Sequence, residues 1–294
     1  MSHEIAPPPL PLIATQVRGV LAEDLGDGDL TASLLPETLT GTAEVITREN
    51  AVLCGAPWFD EVFRQLDSQV EVVWDAAEGD AIQVGQCLCR LQGPIRALLS
   101  GERTALNFLQ TLSGTATLAR RYAQAVAGTR VRILDTRKTL PGLRLAQKYA
   151  VATGGCANHR LGLYDAILIK ENHIAACGGI GPALAMARCC HPHRPIEIEV
   201  EDLVGFGEAL AAGATHILLD NFSHDRIREA VALNAGRARL EVSGGVAFDG
   251  LRALADTGID DISIGALTKH LRAVDLSLRV SANAPAADVM CVSE

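Results

Sequence analysis

Four short runs decide the architecture: Ile196-Glu-Ile-Glu-Val200, His216-Ile-Leu-Leu-Asp220, Arg239-Leu-Glu-Val-Ser243 and Asp261-Ile-Ser-Ile264. Each is aliphatic enough for a buried strand, and each starts about 20 to 23 residues after the one before, the length of one strand-helix unit. Ala-rich helical stretches fill the intervals, at 203–212, 225–235 and 248–257. Towards the N-terminus, Ala166-Ile-Leu-Ile-Lys170 and Val131-Arg-Ile-Leu-Asp135 extend the series, with a helical stretch at 181–190. Parallel strands need such crossovers, so about six clear units predict an incomplete parallel α/β barrel over residues 115–270. An open doubly wound sheet is the alternative.

Before residue 115 the pattern changes. A helix over about 9–24 leads into the turn Asp24-Leu-Gly-Asp-Gly-Asp29, and β-prone runs follow at 42–48, 70–74, 81–84 and 87–91. An amphipathic helix over about 95–112 carries Leu98, Leu99, Leu106 and Leu109 on its apolar side. Residues 1–114 therefore read as an α+β domain, with a tail at 271–294 packing back on it.

Composition narrows the function. The chain has 294 residues, 48% hydrophobic and 21% charged, long enough for a substantial core. No apolar run reaches the roughly 18 residues of a membrane span, and MSHEIAPPPLPLIA lacks a basic region followed by an apolar one. A cytoplasmic protein with reduced cysteines is expected, although there are eight of them. Cys87 and Cys89 share one face of a strand-like run. Cys189-Cys190-His191-Pro192-His193 matches no standard zinc spacing and reads as a helix end. A net charge of −9 argues against nucleic-acid binding but leaves room for a small anionic substrate in a locally basic cleft. Only four of the 26 basic residues are lysines: Lys138, Lys148, Lys170 and Lys269.

The chemistry is expected at the carboxyl ends of the strands, where parallel barrels build their sites. That edge reads Asp135-Thr136-Arg137-Lys138, Lys170-Glu171-Asn172, Glu199 with Glu201, Asp220-Asn221, Ser243-Gly244-Gly245 and Gly265. Any one strand has to end in something polar, but six in succession point to a site. Glu197, Glu199 and Glu201 alternate with Ile196, Ile198 and Val200, which puts three carboxylates on one face. A strand covered on both sides should be continuously apolar, so these charges need neutralising by Lys138, Lys170, Arg137 or a divalent cation. Glu199 and Asp220 suit a hard cation such as Mg²⁺, or ribose hydroxyls. Ser243-Gly244-Gly245 and Ile264-Gly265-Ala266 each end a strand and open a helix, an arrangement that offers backbone N–H groups to a phosphate. There is no Walker A sequence and no strand-linked GxGxxG. Arg137, His159 and Arg160 form a basic group suited to a dicarboxylate.

Taken in order, these motifs resemble the quinolinate phosphoribosyltransferases over essentially the whole chain. The matching residues are Glu23-Asp-Leu-Gly-Asp-Gly-Asp-Leu-Thr31, Glu102-Arg-Thr-Ala-Leu-Asn107, Asp135-Thr-Arg-Lys-Thr139 with Pro141-Gly142, Asn158-His-Arg160, Ile169-Lys-Glu-Asn-His173, Glu197 to Glu201, Leu218-Leu-Asp-Asn221, Ser243-Gly-Gly245 and Ser263-Ile-Gly-Ala266. The resemblance implies an N-terminal α/β sandwich joined to an incomplete α/β barrel, the type II phosphoribosyltransferase fold. It also implies a homodimer, sometimes a hexamer, in which Arg103 reaches the partner's site. The implied reaction joins quinolinate to 5-phosphoribosyl 1-diphosphate with Mg²⁺, releasing diphosphate and CO₂ and giving nicotinate mononucleotide for NAD biosynthesis. In that scheme Lys138, Lys170, Glu199 and Asp220 are catalytic. Arg103, Thr136, Arg137, His159 and Arg160 hold substrate, and Ser243, Gly244, Gly245, Ile264, Gly265 and Ala266 hold the 5-phosphate. Asp27 and Cys156 stand where many relatives carry glycine.

Three rivals remain at this level. A paralogue of the same fold accompanies molybdate transport, and an assay with quinolinate separates it. A Schiff-base aldolase would use Lys170 as nucleophile, against which the surrounding carboxylates argue. A non-catalytic phosphosugar-binding module would bind phosphoribosyl diphosphate without releasing diphosphate.

Overall fold

The computed structural model describes residues 6–283. Described residues up to Thr117, together with those from Leu271, form one compact unit, and Leu118–His270 forms a second. The part of the expected tail beyond residue 283 lies outside the described residues.

The first unit is built from helix α1 (Leu10–Leu25), strands β1 (Thr40–Thr47) and β2 (Ala51–Val52), helix α2 (Ala56–Leu66), strands β3 (Glu71–Trp74), β4 (Ala81–Ile82) and β5 (Cys87–Pro94), and the start of helix α3 (Ile95–Ala125). Strand β1 alternates Ala43, Val45 and Thr47 inwards with exposed Thr40, Thr42 and Glu44, the period of a half-covered strand. Helix α2 buries Trp58, Phe59, Val62 and Phe63. Phe59 also meets the edge of Trp74, with ring centroids 5.3 Å apart. The sheet order is β12-β1-β5-β3, in which β12 (Leu276–Ala282) runs antiparallel to β1 and brings the chain back to this unit.

Helix α3 differs from the sequence reading, which stops it near residue 112. It continues to Ala125, through the expected division at residue 114. Ser113-Gly114 looks like a break, but the glycine has another use. A Cβ at Gly114 would run into the carbonyl of Arg272, so its lack of a side chain admits the returning backbone and the helix continues.

The second unit runs through β6 (Arg132–Leu134), α4 (Arg144–Thr153), β7 (Ile167–Ile169), α5 (Glu171–Cys177), α6 (Ile180–Cys190), β8 (Ile196–Val200), α7 (Leu203–Ala211), β9 (His216–Asp220), α8 (His224–Asn234), β10 (Arg239–Ser243), α9 (Leu251–Ala255), β11 (Asp261–Ser263) and α10 (Ala266–Lys269). Six strands form one sheet in the order β6-β11-β10-β9-β8-β7, and every pair is parallel. Although β6 and β7 are consecutive among these six strands, they occupy the two edges of the sheet, so the α/β barrel is incomplete. The loop after α4 lies along the β6 edge, where Ala157 N–H donates to the Ile133 carbonyl (2.8 Å) and Asp135 N–H to the Ala157 carbonyl (3.1 Å).

Period-2 alternation runs through all six strands. Ile133, Ile169, Ile198, Val200, Ile217, Leu219, Leu240, Val242 and Ile262 belong to one apolar core with Phe206, Ala209, Ile227, Ala230 and Leu251 of the helices. The opposite face carries Arg132, Lys170, Glu197, Glu199, His216, Asp220, Arg239, Glu241, Ser243, Asp261 and Ser263, interrupted by Leu134, Leu168 and Leu218. The helices thus supply the hydrophobic stabilisation on the outside, and the barrel interior is left free for charge.

Candidate active site

The interior face builds in layers. Nearest the amino ends of the strands, buried Asp261 accepts from Arg132 (2.9 Å) and from Arg239. One layer on, His159 Nε2 lies 2.8 Å from Glu197 Oε2 and 3.6 Å from Glu241 Oε1. His216 Nε2 lies 3.5 Å from Glu197 and 3.7 Å from Glu241. Glu241 is wholly buried, and neither of its carboxylate oxygens has a hydrogen-bond partner among the described residues. Burial, reinforced by the charge of Glu197, pushes the Glu241 carboxyl well above the usual range. Burial also works on Glu197, but the hydrogen bond with His159 and the nearby His216 outweigh it and lower its carboxyl.

At the carboxyl ends a cavity of about 340 Å³ opens, lined by Thr136, Arg137, Lys138, His159, Arg160, Leu168, Lys170, Glu199, Leu218, Glu241, Ser243 and Ser263. Lys170 Nζ is 2.6 Å from Glu199 Oε2. Arg137 Nε is a buried donor without a protein partner among the described residues. The Arg160 guanidinium titrates below its ordinary value through burial and then through repulsion from Arg137. Both arginines line the same cavity, a pairing suited to an anionic ligand.

Asp220 ends β9 beside Ser243 of β10 and accepts from Asn221 Nδ2 at 2.8 Å. Glu199 pairs with Leu218, so Asp220, two residues further, shares its face. Gly244 and Gly245 both take positive φ, +93° and +56°. A Cβ on Gly244 would also collide with the Asn221 side chain, so glycine here joins the β9 and β10 ends. Ile264 is buried and its N–H donates to the Leu134 carbonyl (2.8 Å). Gly265 lies under the Lys138 side chain, whose Cδ would be 3.1 Å from an added Cβ, and Ala266 starts α10. Arg103 is exposed on α3 in the other unit and is not among the residues lining this cavity.

The expectation of three inward carboxylates on β8 is corrected to two. The strand ends at Val200, and Asp202 caps α7 by accepting from Gly205 N–H (2.8 Å), which turns the chain and leaves Glu201 exposed. The partners also differ from the sequence reading, because Lys170 pairs with Glu199 while Glu197 is held by a hydrogen bond with His159. Sequence reasoning missed His216 and Glu241. The alternation that exposed Glu197 and Glu199 was equally present in His216-Ile-Leu-Leu-Asp220 and Arg239-Leu-Glu-Val-Ser243. Lys148, tracked for its rarity, is buried and pairs with fully buried Asp135 at 2.5 Å. Burial pushes the Asp135 carboxyl up and the Lys148 ammonium down, and their contact opposes both shifts. Asp135 also accepts from Asn158 Nδ2 (2.7 Å) and His159 N–H (2.9 Å), so it anchors the loop that presents His159 and Arg160. Cys189 and Cys190 are exposed at the end of α6.

The models of the N- and C-terminal domains of quinolinate phosphoribosyl transferase match residues 29–113 and 115–279. The chain belongs to this family. It is 41% identical over 271 residues to the nicotinate-nucleotide pyrophosphorylase (carboxylating) of Mycobacterium leprae, covering 89% of this chain and 95% of that one. The corresponding chloroplastic protein of Oryza sativa subsp. japonica is 36% identical over 94% of this chain and 80% of its own. Among solved structures, the nicotinate-nucleotide pyrophosphorylase of Francisella tularensis superposes with a TM-score of 0.91 at 43% identity, covering 96% of this chain and all of that one. The family assignment agrees with a basic cavity at the carboxyl ends of an incomplete barrel, and with the α/β class of both units. No helix among the described residues is long and apolar enough to cross a membrane.

Proposed function

We propose that this chain is a quinolinate phosphoribosyltransferase that converts quinolinate and 5-phosphoribosyl 1-diphosphate to nicotinate mononucleotide, diphosphate and CO₂ in NAD biosynthesis. The observation that carries the reading is the cavity lined by Arg137 and Arg160 together with the Lys170–Glu199 pair, with a buried arginine donor left for a ligand. The two arginines take the carboxylates of a pyridine diacid, and Arg103 of a neighbouring subunit completes that grip in a homodimer or a larger assembly. Lys138 and Lys170 face the diphosphate, and Thr136 closes the same side. Ser243, Gly244, Gly245, Gly265 and Ala266 offer backbone and hydroxyl donors to the 5-phosphate, while Ile264, its N–H bound to the Leu134 carbonyl, holds the second loop in place.

Breaking the bond at C1′ leaves positive charge on the ribose ring, which Glu199 and Asp220 stabilise from one side of the cavity. The new bond to the pyridine nitrogen makes that nitrogen cationic. It can then accept the electron pair left at C2 when CO₂ departs, and C2 takes up a proton. The oxygens of Glu199 and Asp220, on one face of neighbouring strands, also fit magnesium, which when bound neutralises phosphate charge. A cytoplasmic location is part of the same reading.

The test is nicotinate mononucleotide formation from the two substrates, with and without Mg²⁺. Product in the presence of metal, scaling with enzyme, supports the reading. Diphosphate release with a different pyridine or pyrimidine acid, and none with quinolinate, would reject it.

A further inference from the structure

His159 lines the cavity, yet neither of its ring nitrogens is free for a substrate. The Arg160 N–H donates to His159 Nδ1 at 2.8 Å. A ring nitrogen that accepts an N–H bond carries no proton, so the imidazole proton sits on Nε2. That nitrogen lies 2.8 Å from Glu197 Oε2, a buried carboxylate. The main chain of the same residue is held as firmly. Its N–H donates to Asp135 (2.9 Å), and its carbonyl accepts from Lys148 Nζ (2.9 Å). Every polar group of His159 is thus committed within the protein, and the ring's only outward support goes to the backbone of Arg160.

We propose that Glu197, backed by Glu241, is a positioning residue that locks His159 in its neutral Nε2–H tautomer, so that the ring braces Arg160 rather than binding substrate. This rests on the reading of the cavity as a quinolinate site. Glu241, which lines the cavity, lies 3.6 Å from the same His159 nitrogen. The grouping of His159, Glu197 and Glu241 also has the composition of a metal site. Metal binding at Nε2 would move the proton to Nδ1, where it would face the Arg160 N–H donor to donor. The tautomer observed favours a brace over an ion.

The experiment uses the full-length enzyme with ¹⁵N-labelled imidazoles, the His159 signals being assigned by their loss in His159→Gln. In the wild type the two-bond correlation pattern is expected to be that of the neutral Nε2–H form. Glu197→Met removes the acceptor, and the pattern should move to a tautomer mixture. The KM for quinolinate should rise about tenfold while kcat changes by less than about threefold, as for lost ground-state positioning. Glu197→Gln keeps an acceptor oxygen and should recover most of both losses. An Nδ1–H or doubly protonated ring in the wild type would overturn the proposal. So would a Glu197→Met enzyme that loses kcat at constant KM, or a Glu197→Gln enzyme as impaired as Glu197→Met. If the wild type makes no nicotinate mononucleotide, the functional reading fails, and the wild-type spectrum still decides the tautomer.

Discussion

Arg137 is the residue whose geometry most directly asks for a ligand. Its Nε is buried and unpaired among the described residues, and it lines the same cavity as Arg160. Lysine at this position would keep the charge and lose the planar fork, so Arg137→Lys is expected to raise the quinolinate KM by about tenfold to a hundredfold. Thermal stability should be unchanged, because a buried unpaired donor is lost along with the fork. Steady-state kinetics beside a melting curve separates the two effects. Lys148 predicts the opposite pattern. Lys148→Met leaves Asp135 fully buried without its cation, and unfolding free energy is expected to fall by about 3–5 kcal/mol in urea titration. At this scale the sequence was legible where polar residues end strands, which is how Thr136, Arg137, Lys138, Lys170 and Ser243 were found. It was less legible deeper in the barrel. Glu241 and His216 lie within apolar runs, and their shared layer exists only once three strands are in register.

Among the elements, the strand-helix repeat was readable because its spacing is physical, one crossover per parallel pair. Helix α2 was not anticipated, although Trp58, Phe59, Val62 and Phe63 form its buried stripe, because Pro57 and the short length masked the period. The true end of α3 was hidden for a different reason, since the purpose of Gly114 depends on the backbone at Arg272, about 160 residues further on. Packing of α2 against β3 carries its own pH dependence. Asp60 on α2 accepts from Trp74 Nε1 at 2.9 Å. Burial pushes its carboxyl up to about 6, against the Trp74 hydrogen bond and with help from the charge of Glu78. A carboxyl raised from 3.8 in the free chain favours the folded state fully below 3.8, and that contribution is lost as pH rises through about 6. Asn at this position keeps an oxygen for Trp74 and cannot ionise. Asp60→Asn is therefore expected to match the wild type near pH 4 and to exceed it by on the order of 1–2 kcal/mol at pH 8. A parallel offset at both pH values would show that Asp60 ionisation is not the cause.

For the whole molecule, a net charge of −9 coexists with a cavity edged by Arg137, Lys138, Arg160 and Lys170. Concentrating scarce lysines at one mouth draws an anionic substrate to an otherwise repelling surface, an effect that rising salt should weaken. The proposed assembly places Arg103 at a second copy's cavity, and that arrangement has an arithmetic consequence. An Arg103→Ala chain would spoil its partner's site, whereas a Lys170→Ala chain would spoil its own. In a mixed dimer both lesions fall on one site and leave the other intact. Equal amounts of the two inactive enzymes, unfolded and refolded together, make half of the dimers mixed, each with one working site, so activity should recover to about a quarter of the wild-type level. If Arg103 instead serves the cavity of its own chain, every site in the mixed dimer carries one lesion and no activity returns. Recovery near a quarter, with neither variant active alone, would place the guanidinium in its neighbour's site, because no intrachain arrangement can restore a complete set of groups.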